Sequence, residues 1–174
     1  ISITWYNNPL FINTKNELDT FFSSSKKKFF QTSFYKQQRI KRNILMSNGE
    51  PVGGKLTYDS ENRKKYPKNK KPPTINFPEK TPYHLEAEEY VNNHFDSHYG
   101  HLSSSIIYPI DFKTSQAWLD QFLEKRFKEF GDYEDAIVQK EVFLNHSILS
   151  PLINVGLLNP MEVIKQTLEF AEKN

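Results

Sequence analysis

TSQAWLDQFLEKRFKEFG, residues Thr114 to Gly131, is the stretch on which the fold turns. Apolar side chains recur at Trp118, Leu119, Phe122, Leu123, Phe127 and Phe130, the three- and four-residue spacing of one helix face. Thr114 is the expected N-cap, and Gly131 the expected stop. So broad an apolar face must be buried against neighbours, and the flanking sequence supplies more helices. Downstream, Tyr133 to Gln139 reads as one further short helix. Ser150-Pro151 and Asn159-Pro160 then repeat one device, a capping side chain followed by Pro at the first helical position. Gly156 closes the helix between them, and the last helix runs from Pro160 toward Lys173 with Val163, Ile164, Leu168 and Phe170 facing inward. Upstream, Thr81-Pro82 opens a helix that continues through HLEAEEYVNNHF to Gly100.

The first third reads differently. Ile1, Ile3 and Trp5 alternate with Ser2, Thr4 and Tyr6, a strand pattern whose next candidate partner is Ser105 to Tyr108. Opening without Met in an orphan strand, the chain reads as a piece of a longer one. After Asn7-Asn8-Pro9, Thr14 with Glu17 forms a capping box ahead of Leu18, Phe21 and Phe22. Phe29 to Leu45 is expected as an amphipathic helix with Phe30, Phe34, Gln37 or Gln38, Ile40 or Lys41, and Ile44 on its stripe and Lys36, Arg39 and Arg42 on a basic flank. NILMSNGEPVGGKLTYDSENRKK, Asn43 to Lys65, is too Gly-broken for a helix and too charged for a core strand, and is expected as a loop. The fold class expected is α+β, predominantly α-helical, with no internal repeat and no heptad seam.

At 174 residues and 37% apolar content the chain is long enough for one domain with a real core, and fourteen Phe and nine Tyr must supply much of it. With no cysteine, disulfides, thiol catalysis and thiolate-held metals are excluded within these residues. No apolar run is long enough to span a bilayer, and ISITWYNNPL lacks the features of a signal peptide, so a cytoplasmic location without membrane contact is expected. The net charge of +2 conceals a local asymmetry: Lys41 to Lys71 holds nine Lys/Arg against three Asp/Glu. That region is either a solvated basic surface or a nucleic-acid contact. His94 and His98 stand four apart, but without a third ligand in a fixed frame they make a poor zinc site, and no metal is expected. HSILSP, His146 to Pro151, sets an imidazole and two hydroxyls before a helix start, which is either a plain cap at Ser150 or a seat for phosphate.

Two blocks carry a resemblance. FYKQQRIKRNILMSNGEPVGGKLTYDSENRKK is followed about seventy residues later by FGDYEDAIVQKEVFLNHSILSPLINVGLLNP. Together they resemble the photolyase-related proteins of bacteria, the branch of the photolyase and cryptochrome superfamily that includes iron–sulfur bacterial cryptochromes and prokaryotic (6-4) photolyases. The matching features are Phe34, Tyr35 and Arg39, the PVGGK segment, the D-x-E-N-R from Asp59 to Arg63, and FG-x-Y-x-D-A before HS-x-LSP.

The resemblance implies three regions: residues 1–28 as the end of an α/β antenna domain, 29–80 as a connecting helix and basic loop, and 81–174 as the opening part of a helical FAD-binding domain. It implies a parent protein that binds FAD and uses light to repair DNA by electron transfer, or a cryptochrome-type photoreceptor without repair. A self-contained helical DNA-binding module is the reading that needs no family. The fragment alone is expected to be inactive. Carried over by motif, the FAD-phosphate residues are Tyr133, His146, Ser147, Ile148, Leu149 and Ser150, with His146 standing where the wider superfamily has Thr. Lys55, Arg63, Lys64 and Lys65 are the implied DNA contacts, Arg63 being equally a structural partner for Asp59 or Glu61. An iron–sulfur cluster and an antenna chromophore belong to the parent in this reading, the cluster ligands being absent from this chain. Apolar surface left uncovered around Trp5 is expected to favour self-association.

Overall fold

The structure, a computed structural model, describes residues 2–102 and 106–174. Among these the order is α1 (Lys15–Phe21), α2 (Gln31–Lys41), a hairpin of β1 (Met46–Ser47) and β2 (Glu50–Pro51), α3 (Pro82–Phe95), α4 (Phe112–Lys125), α5 (Phe130–Tyr133), α6 (Ser150–Asn154) and α7 (Pro160–Lys173). Seven helices against one two-stranded sheet make the class α+β, predominantly helical.

The core gathers around α4. Its Trp118, Leu119, Phe122 and Leu123 lie on one face and pack with Leu149, Leu152 and Leu158, while Phe127, Phe130, Val163 and Phe170 close the sides. Each such side chain removed from water contributes roughly 1.5–3 kcal/mol before entropy is counted. The helix begins earlier than its sequence suggests. Asp111, not Thr114, is the N-cap: its carboxylate accepts from the Thr114 amide at 2.9 Å and the Thr114 hydroxyl at 2.7 Å, and Thr114 sits inside the first turn. A carboxylate outcompetes a hydroxyl here because it takes both donors and favours the positive helix end. Asn159 does cap α7, accepting from the Met161 and Glu162 amides.

Other boundaries shift for identifiable reasons. Residues 134–139 form a turn and extended chain, the helix there being confined to α5. Helix α3 stops at Phe95 rather than reaching Gly100. Ser2 to Tyr6 and Ile106 to Tyr108 pair with no strand among the described residues, and Ile1 and Ser105 lie outside them. A strand pattern without a hydrogen-bonding partner remains an exposed extended segment. The sheet forms instead at the Gly-rich loop, where Asn48 (φ 49°) and Gly49 (φ 83°) make the left-handed pair that a two-residue hairpin requires, with Met46 opposite Pro51 and Ser47 opposite Glu50.

The N-terminal region is held by polar contacts and by Phe34 of α2 against Phe21 and Phe22 at the end of α1, with ring centroids 4.9 Å and 5.1 Å apart. The capping box at Thr14 and Glu17 forms as expected. Glu17 pairs with Lys41 at 2.6 Å and Arg42 at 3.3 Å, joining α1 to α2. Arg42 also donates to the Ile12 carbonyl at 2.7 Å, and Asn159 donates to the Pro9 carbonyl at 3.1 Å, which ties residues 9–12 to the start of α7.

Candidate cofactor and nucleic-acid site

Two donors on α4 and its end build the His146 to Ser150 segment. Trp118 Nε1 donates to the Ile148 carbonyl at 3.1 Å, and Arg126 Nε donates to the His146 carbonyl at 3.0 Å. A trans peptide sets its C=O and N–H on opposite sides, so carbonyls held toward α4 turn the N–H groups of Ser147 and Leu149 away from it. Neither amide donates to a protein acceptor among the described residues. Ile148 takes φ 58°, a left-handed conformation that costs a β-branched residue about 1–3 kcal/mol and persists only where neighbours impose it. Leu149 behind it is buried in the main core.

The side chains fall into two sets. Ser150 is exposed and is the first residue of α6, with Leu149 at the cap position and no capping side chain, so a plain cap at Ser150 is not what forms. Ser147 is half-buried. His146 Nδ1 accepts from the Leu144 amide at 3.2 Å, which leaves the ring proton on Nε2. Tyr133 stands apart: it is buried with Ala136 and Leu144, its ring edge-on to Tyr66 at 4.8 Å and under the Lys70 ammonium at 4.9 Å. The structure does not bring its ring to Ser147 or Ser150; it supports Leu144, two residues before His146.

The basic connector docks on an acidic edge. Arg63 pairs with Asp59 at 3.6 Å and Asp135 at 3.3 Å, Lys64 with Asp132 at 2.8 Å, Lys55 with Glu61 at 2.6 Å, and Lys70 with Glu129. Asn62 donates to Glu134 at 3.1 Å, and backbone bonds run from Lys64 N to Asp132 O and from Asp135 N to Asn62 O. The carboxylates hydrogen-bonded to Lys55 and Lys64 raise the pKa of both ammoniums. Lys65 is exposed and has no ion-pair partner among the described residues. Arg63, Lys64 and Lys65 line a cleft of about 390 Å³ with Asp135 and Ile137. Thus the D-x-E-N-R and FG-x-Y-x-D-A motifs, seventy residues apart in the chain, meet in space. A second cleft, about 650 Å³, draws lining residues from three motifs: Tyr35, Asp59 and Asn62, and Phe130, Gly131 and Glu134.

Sequence reasoning missed two arginines. Arg39, expected on the basic flank of its helix, is buried, and its guanidinium donates to the carbonyls of Ile44, Leu45, Val52 and Lys55. One planar fork thereby shapes the whole Gly-rich loop, a role that lysine's single ammonium cannot copy. Arg126 is fully enclosed, and its register was the available signal: it lies four residues after Phe122 and eight after Trp118, a charge on the apolar stripe. Among the described residues no group of acids and histidines is placed to hold a metal, and no helix is long and apolar enough to cross a membrane.

Comparison with known proteins places these motifs in a lineage. The family model of deoxyribodipyrimidine photo-lyase-related proteins matches residues 1–106, more than half of the chain. A (6-4) photolyase of Agrobacterium fabrum is 31% identical over 146 residues, covering 83% of this chain and 28% of that protein. An uncharacterized protein of Acanthamoeba polyphaga mimivirus is 44% identical over 68 residues, 37% of this chain and 35% of its own length. The chain therefore spans well under half the length of these curated relatives.

Proposed function

We infer the function from one premise: the chain belongs to the deoxyribodipyrimidine photo-lyase-related proteins. The reading is that the protein binds FAD and acts in light-driven repair of DNA, with a (6-4) photoproduct as the substrate that the Agrobacterium relative's name suggests. The observation that carries it is the pinned segment at Ser147, whose carbonyl neighbours are held by Trp118 and Arg126 and whose amide has no protein acceptor among the described residues. That donor set suits the diphosphate end of FAD. Ser147 and Ser150 contribute hydroxyls, the Ser147 and Leu149 amides contribute N–H donors, and His146 adds Nε2–H; Ile148 sets the turn and Tyr133 supports it from behind. Bound flavin supplies light-driven electron donation to the lesion, and the chain's own task is to seat it and keep its anionic end paired.

DNA contact falls to Lys55, Arg63, Lys64 and Lys65. Phosphates would exchange with Glu61, Asp132 and Asp135 at the first three, while Lys65 is open to them directly. Those three in-chain pairs are also the observation that favours a second reading, a photoreceptor of the same family that binds FAD without gripping DNA tightly. One experiment separates the two. The full-length protein, reconstituted with FAD and illuminated, is expected to restore (6-4) lesions to intact pyrimidines; full FAD occupancy without repair selects the photoreceptor, and failure to bind FAD removes both. The chain on its own is expected to self-associate through Trp5, Tyr6 and Phe11, which stand 89%, 87% and 70% exposed. Light scattering that gives a strict monomer at high concentration counts against this.

A further inference from the structure

Arg126 is a cation without an anion. It follows the last turn of α4 with no accessible surface, and no carboxylate pairs with it among the described residues. Among the described residues only Nε is hydrogen-bonded, to the His146 carbonyl at 3.0 Å; Nη1 and Nη2 find no acceptor there, and the neighbouring Asn145 Oδ1 no donor. Asn145 Nδ2 in turn donates to the Arg126 carbonyl at 3.4 Å, so the two residues clasp α4 to the 145–146 backbone from both sides. The Phe122 ring, 5.7 Å from Cζ, offers a partial counterweight through its negative face. Burial pushes the guanidinium pKa down to about 10, which still leaves it charged at neutral pH. An enclosed charge with no counter-charge is a standing cost to the fold.

We propose that Arg126 is the fixed counter-charge of a diphosphate seat at residues 146–150, a positioning residue that acts through the His146–Ser147 peptide without touching the ligand. The proposal rests on the reading of that segment as the seat for the cofactor's anionic end. The route is short. The carbonyl that receives Arg126 Nε and the N–H of Ser147 belong to one peptide unit, so a cation bonded to the oxygen polarises the unit and makes the N–H a stronger donor. Trp118 holds the Ile148 carbonyl in the same sense, which fixes the Leu149 N–H beside it. An anion on the open side of the segment is then stabilised by the donors it touches and by the charge it does not. The protein interior between them screens poorly.

Melting curves and calorimetric titrations of the chain with inorganic pyrophosphate at low salt test this. Wild-type chain is expected to bind pyrophosphate and melt higher in its presence. Arg126→Met, close in length and apolar, removes the enclosed charge. It should raise the melting temperature without ligand and weaken pyrophosphate binding about tenfold or more. Arg126→Gln removes the charge yet keeps a donor for the His146 carbonyl, and should lose affinity as the Met variant does. A merely structural arginine gives the opposite sign: Arg126→Met melts lower without ligand and binds pyrophosphate as wild type does, which overturns the proposal. Should the Met variant not fold, a Gln variant that folds and binds pyrophosphate as wild type does overturns it equally. Wild-type chain that does not bind pyrophosphate at all removes the seat itself, and the proposal with it.

Discussion

Residues 9–70 and residues 108–170 are stabilised by opposite means. The C-terminal region closes around α4 with seven buried apolar side chains in one cluster. The N-terminal region contributes no fully buried apolar residue to either cluster; beside the Phe21, Phe22 and Phe34 ring contacts between α1 and α2, it relies on charge: Glu17 between α1 and α2, Arg39 inside its loop, and the Lys64, Arg63 and Lys70 pairs that moor the connector to residues 129–135. The first kind of assembly depends on volume and is insensitive to salt, while the second depends on geometry and protonation.

The largest effect expected is in the apolar half. Leu119→Ala removes a side chain with no accessible surface and should cost about 2–5 kcal/mol, read by urea denaturation with Trp fluorescence. If α1 and α2 melt at the same lowered midpoint, the two regions are one cooperative unit and the contrast fails. Arg39→Met comes next. Losing the fork leaves four carbonyls to find other partners, and a local destabilisation of about 1.5–3 kcal/mol is expected. Amide exchange should accelerate across residues 43–55 and stay unchanged at 118–123. Acceleration in both places would show that the loop supports the core.

The smallest effect is a titration. Hydrogen bonds from Lys41 and the Thr14 amide, with the Arg42 charge nearby, pull the Glu17 carboxyl down to about 2. The folded pKa is depressed, so its contribution is fully present above the unfolded value near 4.5 and is lost as pH falls toward 2. Contacts between α1 and α2 should therefore loosen across that window, followed by NMR shifts at Ile12 and Lys41, and Glu17→Gln should flatten the response. An equal response in the Gln variant would assign the transition to other carboxylates.

Local signals were legible wherever a short stretch decides the outcome. The α4 face, the Thr14 capping box, the Asn159-Pro160 start and the Gly156 stop need only neighbours within a turn or two, and each formed as its residues require. The Asn48-Gly49 hairpin was just as local and was still read as a plain loop, because the charge around it masked a turn pair that dictates left-handed backbone. Ser147 and Ser150 were legible as a motif, but only the structure shows that Ser150 caps nothing and that Tyr133 packs with Ala136 and Leu144.

By itself, then, the sequence determined the helical class, the family motifs and the candidate residues, since periodicity, caps and motif wording are written in consecutive positions. Tertiary structure alone decided which cations are surface and which are structural. Arg39 and Arg126 share one side chain with Arg63, yet two are buried and the third sits among carboxylates on the rim. The reason is physical. A guanidinium's role follows from the carbonyls and carboxylates within hydrogen-bond reach, and Lys55, His146 and Asp135 are brought to these arginines from sixteen, twenty and seventy-two residues away only when the chain has folded.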